Sequence, residues 1–493
     1  MYVVMVASEC APAIHEGGLG DVVSGLSREL AIRGNDVEII LPKYDRMRYD
    51  RIDGLTIDYH DLWAPWYGGA IHCTVYFGFV RGLRCFFIEP HSQDHFFHRP
   101  SAYGYDDDGM RFAFFSKAAL EYMLKANKRP DVIHCHDWQT GLAPVLLFEM
   151  YKYCGMENQR VCFTVHNFRH QGQCGQEVLW ATGLGRPEYY LHYDRLRDNF
   201  NRAALNLTKA GIVYSNFVTT VSPQHAWEAA NTDQNFGLGH TLWVHRGKFG
   251  GVLNGVDYDT WNPEIDPFIA RRYGIESLDL KYENKRALRE RLWLRDGHKP
   301  IVAYVGRLDS QKGVHLVRET LFYALHNGAQ FVLVGPSPEP AINADFARLK
   351  NELNDNPDCH LELRFDPELA HLVFAGADLL VAPSHYEPCG LVQMIAMKYG
   401  TVPVVRWTGG LADTVFDRDY SARPNEARNG YVFHQEDYAA LDSALHRALG
   451  LWYDYPDEFR KLILNGMRYD YSWNNPSGHY VDIYDYVRHK LLA

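Results

Sequence analysis

Two widely separated stretches of this chain share one grammar: an unbroken apolar run, a glycine-bearing polar loop, a helix-spaced run and a second apolar run. The first begins with YVVMVA, continues through the loop EGGLGD (16–21) and ends in DVEIILP (36–42). Between them Val22, Val23, Leu26 and Leu30 mark one helix face, and Gly34 stops the helix. The second occupies 299–335, KPIVAYVGRLDSQKGVHLVRETLFYALHNGAQFVLVG. A strand, a loop, a helix and a strand in that order build a parallel sheet, so the expected class is α/β with doubly wound parallel sheets. Further apolar runs end in polar loops at 131–138, 161–167, 379–390 and 402–410. In open parallel sheets ligands sit beyond the carboxyl ends of the strands, so these loops are where function is sought.

A length of 493 residues allows two or three full cores. The stretch GGVLNGVDYDTWNP (250–263) is rich in Gly, Asn, Asp and Pro and separates the two strand-helix series. It predicts domains over 1–250 and 251–473. Tyr480, Ile483, Tyr484, Val487 and Leu491 then predict a final amphipathic helix within 474–493.

Net charge is −11, which disfavours binding nucleic acid or anionic lipid over the whole surface. The nine cysteines are scattered singly with no C-x-x-C pair, which fits free thiols in a reducing, cytoplasmic setting. The opening MYVVMVASECAPA lacks a basic start, and Ser8 and Glu9 break its apolar run, so it reads as a strand and not a signal peptide. No apolar run approaches the roughly 20 residues of a membrane span.

The glycine loops constrain the chemistry. Gly18-Leu19-Gly20 begins a dinucleotide fingerprint, but Val23 stands at its third glycine and Lys43 follows the second strand where an acidic residue is expected. A nicotinamide cofactor is disfavoured. Backbone amides of Gly17 and Gly18, and of Gly409 and Gly410 in the echoing TGGLADTV, suit an anion, although a tight turn would use the same glycines. Arg307 and Lys312 in GRLDSQKG suit a diphosphate, or form an ordinary solvated loop. Glu387 in PSHYEPCGL is placed to bind sugar hydroxyls, or to complement a helix dipole. His134 and His136 raise a metal question, but no third ligand follows at zinc spacing and no H-E-x-x-H exists. Polar anchoring of a sugar by Asp137 and His166 is the preferred reading.

Together, SECAP…GGLGDV, HCHDWQTG, TVHN, NGVDYDTWNP, VGRLDSQKG, PSHYEPCGL and TGGLADTV resemble, in order and over essentially the whole chain, the bacterial glycogen synthases and plant-type starch synthases. The resemblance implies a GT-B fold, two doubly wound (Rossmann-like) domains facing a central cleft, with the last helix returning to the first domain. It implies glucose transfer from ADP-glucose to the non-reducing end of an α-1,4-glucan or malto-oligosaccharide, with retention and without metal or other cofactor. Nucleic acid and membrane are not expected partners.

By the same resemblance Arg307 and Lys312 hold the donor diphosphate, Glu387 positions the glucose, and His166 and Asp137 stand beside it. Donor contacts are implied for His15, Gly17, Gly18, Asp21 and Asn167 in the first domain, and for Asn254 just past the expected boundary. In the second they are implied for Phe365, against the adenine, and for Cys389, Gly390, Leu391, Thr408, Gly409 and Gly410. Acceptor contacts are implied for Tyr103, Asp137 and Gln139. Ile395 stands eight residues after Glu387, where related retaining enzymes carry a second Glu. That departure points to a front-face reaction with no covalent intermediate. His15 stands where the family usually has Lys, which predicts weakened or pH-dependent turnover. The competing reading is a catalytically weak glucan-binding or priming protein of the same fold.

Overall fold

The computed structural model describes residues 1–489. It divides into two units: residues 1–255 with 473 onward, and 256–472.

The first unit is built on a nine-stranded sheet. Its strands are β1 (Tyr2–Val6), β2 (Asp36–Pro42), β3 (Asp53–Trp66), β4 (Gly69–Val80), β5 (Leu83–Pro90), β6 (Val132–His136) and β7 (Arg160–Val165). After a two-stranded ribbon of β8 (Gln173–Cys174) and β9 (Leu205–Asn206), β10 (Phe217–Thr220) and β11 (Phe249–Gly251) complete it. The order is β11-β10-β7-β6-β1-β2-β5-β4-β3, parallel from β11 to β5, with antiparallel β4 and β3 at the edge. The continuous apolar runs are the fully covered strands: Val3 to Val6 and Ile39 to Leu41 have no exposed surface. Between β1 and β2 lies the helix Gly18–Ile32, which buries Val22, Val23, Leu26 and Leu30, and Gly34 follows at φ +83°. The chain leaves β1 toward β2 on one side and places β6 on the other, so the carboxyl ends of β1 and β6 form a topological switch point.

The unit boundary falls at Gly255/Val256, five residues beyond the expected 250/251, because β11 still pairs with β10 through Gly251. The closing helix Asn474–His489 belongs to the first unit and buries Tyr480, Tyr484 and Val487. Trp473 fits over Gly25, where any Cβ would overlap its indole. Arg33 donates to Ser477 Oγ at 2.7 Å. Leu491, expected in this helix, lies outside the described residues.

The second unit carries a six-stranded, all-parallel sheet of β12 (Ile301–Val305), β13 (Gln330–Val334), β14 (Cys359–Glu362), β15 (Leu379–Ala382), β16 (Val402–Arg406) and β17 (Tyr431–Phe433). Its order, β14-β13-β12-β15-β16-β17, puts the switch point between β12 and β15. The loops leaving those two strands carry Arg307 with Lys312, and Glu387.

Candidate active site

In the second unit, the β12 loop is held by close backbone approaches. Gly306 has φ +150°, and Gly335 packs so tightly on its carbonyl that no Cβ fits. Tyr304 Oη donates to the Arg307 carbonyl at 2.7 Å. Asp309 caps the next turn by accepting from Gln311 N at 3.0 Å. Gly313, at φ +63°, abuts the Pro383 carbonyl, which draws the β12 loop against the β15 loop. Lys312 Nζ thereby lies 2.6 Å from Glu387 Oε2, and Ser384 Oγ donates to the same oxygen at 2.8 Å. Glu387 is buried, whereas the Arg307 side chain is 61% exposed, with Asp309 3.7 Å away.

The Glu387 loop is braced from behind. Arg406 Nη1 donates to the His385 carbonyl at 3.1 Å, and Gln393 Nε2 to that of Gly390 at 2.9 Å. Gly390 needs its φ of +71°. The glycine pair 409–410 corrects an expectation. Gly410 N–H donates to the Glu387 and Pro388 carbonyls at 3.2 Å each, so this amide clamps the glutamate loop and is not free for phosphate. A Cβ at Gly409 would overlap the Glu387 carbonyl, and one at Gly410 that of Cys389. Both glycines answer a close approach within the chain itself. Thr408 is buried, and its Oγ1 has no hydrogen-bond partner. Leu391 precedes the helix Val392–Lys398, Cys389 is buried, and Phe365 stands 77% exposed beyond β14.

In the first unit, Glu9, which lies outside the site residues expected from the sequence, organises the loop after β1. This buried carboxylate accepts from Glu16 N at 2.7 Å and Gly17 N at 3.1 Å through Oε2, and from Tyr103 Oη at 2.7 Å through Oε1. One expectation is corrected by it. The Gly17 amide is committed to Glu9, which leaves anion binding to Gly18 at the start of the helix. The Tyr103 hydroxyl is committed to Glu9 and Ser8, which leaves its ring for an acceptor. A carboxylate directly after a buried strand was the available signal. Nothing lies within 4 Å of a Cβ built on Gly17 or Gly18, so open space surrounds both. His15 Nε2 lies 3.0 Å from Asp21 Oδ2, and this pairing raises the His15 pKa.

At the end of β6, Asp137 takes φ +57°, a left-handed conformation that costs a non-glycine residue energy. Its Oδ1 accepts from His166 N at 2.7 Å, tying the ends of β6 and β7 together. Burial pushes its pKa up to about 7. The rings of His134 and His136 lie tilted by 32° with centroids 4.0 Å apart; His134 Nδ1 lies 2.7 Å from Tyr484 Oη, and His136 Nδ1 lies 3.1 Å from His166 Nε2. Burial lowers the pKa of His166 to about 3, so its imidazole is neutral. Among the described residues no group of three or more His, Cys, Asp or Glu is arranged to hold a metal. Asn167 Oδ1 accepts from Arg169 N at 2.9 Å. Gln139 Oε1 and Asn254 Oδ1 are buried with no hydrogen-bond partner.

Residues 2–244 match the family model described as starch synthase catalytic domain, and residues 287–461 match glycosyl transferases group 1. Glycogen synthase 1 of a Synechococcus species is 67% identical over 491 residues, covering 99% of this chain and 100% of that protein. Glycogen synthase 2 of Methylococcus capsulatus is 62% identical over 485 residues, covering 98% of this chain and 100% of that protein. This chain belongs to the starch and glycogen synthase family.

Like its glycogen synthase relatives, it is a glucosyltransferase of the GT-B class. The solved catalytic domain of starch synthase IV from Arabidopsis thaliana, bound to ADP and acarbose, superposes with a TM-score of 0.96 at 41% identity, covering 99% of this chain and all of that one. No helix among the described residues of this synthase is long and apolar enough to cross a membrane.

Proposed function

We propose that this glucosyltransferase extends α-1,4-glucans from ADP-glucose with retention of configuration. The observation that carries the reading is the Lys312–Glu387 pair at the switch point of the second sheet, 2.6 Å apart and flanked by the exposed Arg307. The ADP and acarbose bound by the Arabidopsis starch synthase support it.

In this reading Arg307 grips the donor diphosphate through its guanidinium fork, and Lys312 adds a compact charge. Lys312 has three N–H donors and spends one on Glu387, which leaves two for phosphate oxygens. Glu387, held through Oε2, presents Oε1 to hydroxyls of the glucose. The neutral His166 and the partly strained Asp137 anchor the transferred sugar. The bond from C1 to the phosphate oxygen breaks, and C1 bonds to the acceptor O4. The departing phosphate oxygen takes the acceptor proton, while both cations stabilise the charge that grows on ADP. The reading assigns that charge to Arg307 and Lys312 without a metal. Ile395 is buried and brings no carboxylate to serve as a nucleophile, which favours the front-face route over a covalent intermediate.

The test is incubation with labelled ADP-glucose, or UDP-glucose alongside, and a malto-oligosaccharide. Extension from ADP-glucose in preference to UDP-glucose is expected. Binding of glucan without extension would overturn the assignment.

A further inference from the structure

A cavity of about 440 Å³ opens in the second unit, away from every residue assigned to donor or acceptor. It is walled by the helix Lys281–Leu292, the turn 296–299, Asp378, Trp452 and the start of the helix Pro456–Arg468. Asp378 accepts from Ile301 N, at the start of β12, at 2.7 Å. The cavity therefore lies at the amino ends of β12 and β15, opposite the loops that carry Lys312 and Glu387. Its size suits a small organic ligand, for which pockets run from about 300 to 1,000 Å³.

The lining is cationic in an acidic protein. Lys281, Lys285, Arg286, Arg289, Lys299 and Arg460 face it, against Asp296 and Asp378. Part of that charge is structural: Lys285 pairs with the buried Asp378 at 2.7 Å and Lys299 with Asp358 at 2.6 Å. Lys281 Nζ donates to the carbonyls of Phe374, Ala375 and Tyr399. The arginines differ. Arg286 makes no hydrogen bond or ion pair among the described residues. Arg460 pairs with Asp279, whose side chain is 81% exposed, whereas Arg289 is buried and donates to Gln330 Oε1 at 2.8 Å, the Lys299 carbonyl at 2.9 Å and Asp296 at 3.2 Å. An exposed pair such as Arg460–Asp279 contributes little, so an anion with several charges displaces that carboxylate easily. The guanidinium groups of Arg286 and Arg460 match the bidentate geometry of phosphate oxygens.

The rest of the wall is aromatic and apolar. Trp452 is fixed by its Nε1–H bond to Asp378 at 3.1 Å, its ring lies 4.6 Å from that of His298, and Tyr282 stands exposed at the mouth. A flat or ring-shaped body stacks against the exposed Tyr282 ring while its charged end meets the arginines.

We propose that this cavity binds a phosphate monoester carried on a ring, of the sugar-phosphate or nucleoside-monophosphate class. The site is separate from the one that takes the donor.

The test uses the full chain with excess ADP, so that the donor site is filled. Glucose 6-phosphate, AMP and inorganic phosphate are titrated separately by calorimetry. One of the two ring phosphates should bind saturably, at least about tenfold more tightly than inorganic phosphate. Arg286→Glu with Arg460→Glu should weaken that binding by about tenfold or more while chain extension stays unchanged, and the corresponding lysine variants should retain it. Glucose 6-phosphate and AMP distinguish the two ring classes. No saturable binding of either ring phosphate, affinity equal to that of inorganic phosphate, or binding unaffected by the glutamate variants would each overturn the proposal.

Discussion

Lys312 Nζ and Glu387 Oε2 lie 2.6 Å apart although 75 residues separate them in the chain. The approach is enforced by Gly313 against the Pro383 carbonyl and by Gly410 holding the Glu387 carbonyl. Lys312→Met keeps the length of the side chain but removes its charge. It is expected to lower kcat by about 10²-fold or more, the usual scale for losing one preorganised electrostatic contact. Glu387→Gln in the same assay should lower kcat while leaving the melting temperature nearly unchanged, because the amide still accepts from Lys312 and Ser384.

The two glycine pairs, so alike in sequence, should behave oppositely. Gly410→Ala places a methyl on the Cys389 carbonyl, so lower stability and lower activity are expected together. Gly17 is extended at φ −169° with open space around its Cβ position, so Gly17→Ala should leave stability within about 0.5 kcal/mol. If donor or acceptor approaches there, KM rises alone. Thermal melts and steady-state kinetics on both variants check this contrast.

His15 owes its raised pKa first to the Asp21 hydrogen bond. As pH rises through that pKa the imidazole loses its charge, and any help it gives to an anionic donor goes with it. His15→Lys should therefore raise activity at alkaline pH, and Asp21→Asn should move the alkaline loss to lower pH. Superimposable pH–rate profiles for wild type and both variants would remove the role.

Asp137 contributes to stability with a definite sign. Burial holds its proton up to about pH 7 in the fold, while the unfolded chain releases it near the ordinary carboxylate value. Between those values the native state binds more protons, so stability falls as pH rises, and the full cost persists above pH 7. Asp137→Asn removes the titration. Urea midpoints at pH 5 and pH 8 should differ less in the variant than in the wild type.

The covered strands were legible because burial on both faces leaves unbroken apolar runs such as YVVMVA and LLVAP, and the motifs marked the loops that leave β12 and β15. The β3–β4 hairpin was not legible. The segment DGLTIDYHDLWAPW is largely exposed edge, with no apolar run to betray it. The roles of Glu9 and Gly410 were hidden for a different reason. What each does depends on a carbonyl or amide brought from elsewhere, and sequence spacing carries no trace of that neighbour. His136 likewise gains its place beside His166 only through the register of β6 with β7.

The central claim is that one cationic pair neutralises the donor diphosphate. Steady-state kinetics of the Arg307→Ala, Lys312→Ala double variant with ADP-glucose and malto-oligosaccharide test it directly. The expected result is a loss of kcat/KM of about 10⁴-fold or more, two electrostatic contacts at about 10²-fold each, in a protein that still melts cooperatively. Turnover within about tenfold of wild type would contradict the account.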